Sequence, residues 1–261
     1  MSETPQHHLD PSLKEKALAI WRLPTCAFKE VISRIGLLDD NETKDYKAQH
    51  EAGHTLINLL EGRAMTRAEI SRLRDSTCNQ LNTLLGGSFQ FRFEMGVVST
   101  NDDDDREFEE QHPDRNAIQA LAGIAANQDP KHGHFFEQLL DKELAKGVDE
   151  PWEDISVPYR YIQDRFVAIH QRTPSQQEVS NIFRELLNEI RTIFSERKFA
   201  AILTQIKELI KSHKLKKNVN DTILKTLFAN GFTQEDLTEM QQRIASIDID
   251  KVIQKHNRPT A

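Results

Sequence analysis

The chain has 261 residues, 38% apolar and 29% charged, with a formal net charge of −7, the composition of a soluble globular protein with many exposed charges. The negative balance argues against general affinity for nucleic acid. No apolar run approaches the roughly 18 residues of a membrane span, and the start lacks the basic-then-apolar order of a secretory signal. Two cysteines, Cys26 and Cys78, are too few for a disulfide framework, so a reducing, cytoplasmic setting is expected.

Residues 1–41 read as a helical lead-in. A helix over residues 12–22 breaks at Pro24, and a second carries Phe28, Val31, Ile32, Ile35 and Leu37 on one side, with Gly36, Asp39, Asp40 and Asn41 marking its end. Residues 42–261 read as one mainly helical domain, and its first helix, over residues 44–61, bears the most informative stretch, His50-Glu51-Ala52-Gly53-His54. Histidines four apart lie one turn apart on the same helical face and can reach one metal ion, with the glutamate aimed at the open coordination position. The expected ion is zinc, bound by His50 and His54, with Glu51 as general base. Tyr46, Ala48, Leu56, Ile57, Leu59 and Leu60 supply apolar positions, and Gly53 leaves room for a neighbouring segment to pass close by.

Residues 65–85 are rich in helix formers and stop at Gly86-Gly87. Alternating aromatic and polar side chains then predict a strand over residues 88–94, continuing into Met95-Gly96-Val97-Val98, so a small β-sheet is expected beside the histidine helix. The acidic run over residues 101–110 lacks the spaced ligands of an EF-hand and reads as a solvated loop. From Asn116, Ile118, Leu121, Ala122, Ile124, Ala125 and Ala126 form an apolar stripe whose small residues suit tight helix packing. His132 and His134 form a His-x-His pair with no partner cysteines, which favours solvated loop residues over a metal site. A helix over residues 151–169 opens with Glu153 and Asp154, acidic residues that suit a helix start and leave Asp154 also open as a third zinc ligand. Long helical periodicity follows from Ser175 to Leu215, then a smaller helical unit in which Gly231 stops one helix and Thr233 to Asp236 starts another.

The ordered set of features resembles the peptidase domain of the FtsH-type zinc proteases, the membrane-anchored AAA+ family. The carriers are His50-Glu51-Ala52-Gly53-His54, Met95-Gly96-Val97-Val98, the acidic stretch, Leu121-Ala122-Gly123-Ile124-Ala125-Ala126-Asn127-Gln128 and Glu153-Asp154-Ile155, all in the family's order over residues 42 to about 240. The resemblance implies Asp154 as third zinc ligand, with Glu150 and Glu153 as the alternatives. It also implies a metalloendopeptidase that cleaves unfolded or flexible polypeptides. No Gly-x-x-x-x-Gly-Lys-[Ser/Thr] loop occurs, so substrates would be delivered by a separate unfoldase or adaptor, or be flexible already. The family's ring assembly leaves oligomerisation open. Where the family has an arginine and two glutamates, this chain has Ile124, Asn127 and Gln128. That departure favours a rival reading, a catalytically inactive peptidase-fold protein acting as a protein-binding or regulatory module.

Overall fold

The computed structural model describes residues 40–72, 94–100, 102–127, 144, 153–212 and 215–256. Contacts divide the chain into two units, Met1–Asp45 with Ile70–Met95, and Tyr46–Glu69 with Gly96–Ala261. The second holds most of the described residues. The helices expected before residue 40, both cysteines, the aromatic stretch 88–93, His132, His134 and Glu150 lie outside the described residues. So does the lead-in of residues 1–41, apart from Asp40 and Asn41.

In chain order, helix α1 spans Asp40–Leu60, strands β1 and β2 span Met65–Arg72 and Glu94–Thr100, and helices α2 and α3 span Asp102–Gln111 and Pro113–Ala126. Helix α4 spans Glu153–His170, α5 Gln176–Ser195, α6 Arg197–Lys211, α7 Val219–Ala229, α8 Gln234–Ala245 and α9 Ile249–Lys255. The fold is mainly α, and among the described residues the only sheet is the two-stranded pair of β1 and β2.

The core sits around α3, which packs against α4 and α5, while α5 also receives α6, α8 and α9. Phe166 from α4, Phe183 and Phe194 from α5, and Ile118, Leu121 and Ile124 from α3 are all fully buried there. Pro113 opens α3 at a position whose N–H would be unpaired in any case, and the apolar stripe read from the sequence is buried along its whole length. Helix α5 starts at a capping box: Ser175 Oγ accepts from Glu178 N–H at 3.3 Å, and the Glu178 carboxylate accepts from Ser175 N–H at 2.8 Å. Gly231, at φ +89°, ends α7, and Thr233 pairs with Asp236 in a second capping box at the start of α8.

Two expectations are corrected. Residues 65–72, read as the opening of a helix, form strand β1. Its partners are distant in sequence: Ala68 N–H donates to Leu215 O at 2.9 Å, Met65 N–H to Asn220 Oδ1 at 3.0 Å, and Thr66 Oγ1 to Thr100 O at 3.4 Å. Helix propensities differ by only about 0.7 kcal/mol per residue among ordinary residues, so these pairings override them. The acidic run, read as a loop, is helix α2 from Asp102 onward. Its aspartates occupy the first turn, where the positive end of the helix dipole favours them.

Candidate metal centre

Helix α1 carries Tyr46, His50 and His54 at four-residue spacing, with Ala48, Ala52, Leu56 and Ile57 burying its apolar side. The His50 and His54 rings meet edge to face, 4.7 Å between centroids. Helix α3 crosses directly against them at two glycines. A β-carbon on Gly53 would overlap the Ala122 carbonyl and lie 2.9 Å from Ala126 Cβ. One on Gly123 would run into the His54 ring and lie 2.9 Å from His50 Cε1. Each glycine costs a helix about 1 kcal/mol relative to alanine. Here the lost side chains are what allow the imidazoles to lie flush on the neighbouring backbone.

Asp154 comes from the first turn of α4, 104 residues from His50. Its Oδ2 lies 2.9 Å from His50 Nε2 and its Oδ1 3.3 Å from His54 Nε2, while the two Nε2 atoms are 3.1 Å apart. In a tetrahedral zinc site with bonds of about 2.0–2.1 Å, neighbouring ligand atoms are about 3.3 Å apart. The two Asp154 distances run to different carboxylate oxygens; taken as one ligand atom from each residue, the three donors lie within 4.8 Å of one another, near enough to share one ion. His54 Nδ1 lies 2.9 Å from Gln119 O, which accepts its N–H and thereby leaves Nε2 with the lone pair facing the cluster. Donor type, proximity and the tautomer of His54 therefore fit a zinc ion.

The electrostatics point the same way. Burial disfavours a charged His54, but the Asp154 carboxylate and its hydrogen bond outweigh burial and push the imidazole up to about 9. Burial likewise disfavours the Asp154 anion, and the two imidazoles outweigh it, holding the carboxyl well below the usual carboxylate range. Three converging electron-pair donors with one negative charge select a cation between them, either a proton or a metal ion. Glu51, next to His50 and 7% exposed, has its carboxyl raised by burial, with His50 and His54 opposing the shift. A buried carboxyl with raised proton affinity suits proton transfer.

The structure thus brings His50, Glu51, His54 and Asp154 into one cluster. Glu153 is the first residue of α4. Among the described residues, His50, His54 and Asp154 form the only group of three or more His, Cys, Asp or Glu residues disposed to hold a metal ion. Sequence reasoning singled out Asn127 and Gln128 on α3 as departures from the family pattern but did not foresee which atoms of α3 meet the two rings. Gln119, Gly123 and Asn127 fall four apart along it, touching in turn His54 Nδ1, both rings and His50 Nδ1. The small-residue stripe pointed to tight packing, but nothing in it marked Gln119, whose contribution is a backbone carbonyl. Among the described residues, no helix is long and apolar enough to cross a membrane. No family model, curated protein or solved structure matches the chain.

Proposed function

We propose that this chain is a zinc metalloendopeptidase with an FtsH-like peptidase fold, hydrolysing peptide bonds in unfolded or flexible polypeptides. The observation that carries the reading is the meeting of His50, His54 and Asp154 close enough to share one metal ion, with Glu51 buried beside them. His50 and His54 would hold the metal through Nε2 and Asp154 through a carboxylate oxygen. Zinc in such a site lowers the pKa of bound water to about 7 and polarises a carbonyl oxygen.

The chain's own groups do the rest. Glu51, kept basic by burial, takes the proton from the attacking water and returns it to the departing amine nitrogen as the C–N bond breaks. Gln119 holds His54 in the tautomer that presents Nε2, and the close approach of Gly123 leaves the rings little freedom to turn. A catalytically inactive binding module was favoured by the Asn127 and Gln128 departures. Asn127 lies beside His50, in contact with the ring, which weakens that argument.

The test pairs zinc content with cleavage of casein as an unstructured substrate. Wild type is expected to carry one zinc per chain and to cut casein. Glu51→Gln should keep the zinc and lose activity by about 10²- to 10⁴-fold, the usual worth of a general base. Asp154→Ala should weaken zinc binding. Undiminished cleavage by Glu51→Gln, or wild type that takes up no zinc, would overturn the reading.

A further inference from the structure

Asn127 has no part in the proton transfers described for Glu51, yet its side chain is built into the cluster. It is the C-terminal cap of α3, 5% exposed, with its backbone N–H donating to Ile124 O at 3.3 Å. Its amide nitrogen lies 3.4 Å from His50 Nδ1, 77 residues away in sequence. Tyr46, one turn before His50 on α1, hydrogen-bonds to the same Asn127 side chain, and burial raises its phenol above the usual range. The phenol is therefore a neutral hydroxyl, able to donate or accept.

His50 faces Asp154 and His54 through Nε2. A metal held at Nε2 requires the ring proton on Nδ1, and that N–H requires an acceptor. Among side chains, an amide is suited to either tautomer. With its nitrogen toward the ring, Asn127 donates to an Nδ1 lone pair. Turned by 180° about its terminal bond, it presents Oδ1, which can accept from His50 Nδ1–H and from the Tyr46 hydroxyl together. A leucine or alanine at this buried position would leave both partners without that bond, and an unsatisfied buried polar group costs about 1–3 kcal/mol.

We infer that Asn127, braced by Tyr46, is the positioning residue that accepts from His50 Nδ1–H and fixes the orientation of the His50 ring for zinc, an inference that rests on the metal centre proposed above. It gives the departure from the family's charged residues at this part of α3 a physical sense. The ring is oriented by a neutral amide, so no further negative charge is placed beside the Asp154 carboxylate.

The test measures zinc affinity against a chromophoric chelator, the visible absorption of the cobalt(II)-loaded protein and the melting temperature. It compares wild type with Asn127→Ala, Asn127→Asp and Tyr46→Phe. Asn127→Ala should lose about 10- to 100-fold in zinc affinity, the usual cost of removing a partner of a ligand histidine, and should shift the cobalt bands. Asn127→Asp should keep wild-type affinity, because a carboxylate also accepts from Nδ1–H. Tyr46→Phe removes a single oxygen and should show a smaller loss in the same direction. Unchanged zinc affinity and cobalt spectra in both Asn127→Ala and Tyr46→Phe, with tight binding by wild type, would overturn this inference alone. Should Asn127→Ala fail to fold, Tyr46→Phe decides. Failure of wild type to bind zinc would overturn the metal centre and this inference together.

Discussion

Helices α5 and α6 and the seam between α1 and α3 are built on opposite terms. In α5 and α6 the buried side chains are apolar apart from Ser180, and α5 opens on a reciprocal cap. Along α1 the buried set includes Glu51, His54, Thr55 and Asn58. Two glycines that weaken their own helices sit at the crossing. The first region concentrates apolar burial, and the second spends some of that stability to hold charges and lone pairs in fixed places. Such a division is expected where a rigid scaffold carries a polar site.

Substitutions in the two regions should separate stability from metal binding. Ile206→Ala, at a fully buried position in α6, should cost about 2–5 kcal/mol of stability by leaving a cavity. Chemical denaturation would register that loss, while zinc affinity of the folded fraction stays at the wild-type value. Gly123→Ala should do the reverse in emphasis. Its methyl group meets an imidazole already tied to Gln119, so an overpacking cost of about 1–3 kcal/mol is expected, accompanied by a clear fall in zinc affinity. Equal loss of zinc binding by the two variants would erase the distinction.

The smallest effect concerns pH. Glu178, bonded to Arg172 and to the Ser175 cap, is lowered to about 2. A carboxyl depressed on folding stabilises fully above its unfolded value, and that contribution disappears as pH falls toward the folded value. Glu178→Gln should therefore cost about 1 kcal/mol at neutral pH, discounted for its partial exposure, and nothing below about pH 2. Urea melts at pH 7 and near pH 2 check it, and a penalty that persists in acid would count against the capping account.

The same contrast explains what sequence alone could and could not reveal. Helices α5, α6 and α8 follow from apolar spacing and from Ser175 and Thr233, because each signal lies within a few residues of its effect. The pairing of His50 with His54 is local in the same sense. Asp154 was open as a ligand from its place at a helix start, but only the ordered family resemblance preferred it over Glu150 and Glu153. Strand β1 was misread because its partners, Leu215, Asn220 and β2, are long-range. Helix α2 was misread because an acidic run was weighed for its solvation and not for its place at a helix start. The contact between Asn127 and His50 spans 77 residues and depends on how α3 crosses α1, which periodicity does not specify.

That crossing has a consequence for transferability. Tyr46, His50 and His54 on one helix face Gln119, Gly123 and Asn127 on the other, two ladders of matching pitch. A helix advances about 5.4 Å per turn, so sliding one ladder by a rung would set a side chain against the rings where Gly123 now lies. The imidazoles are thus indexed by register, like teeth in a rack. An artificial pair of helices carrying those six rungs, with one carboxylate brought to its flank, should reproduce the ligand geometry without the remainder of the polypeptide.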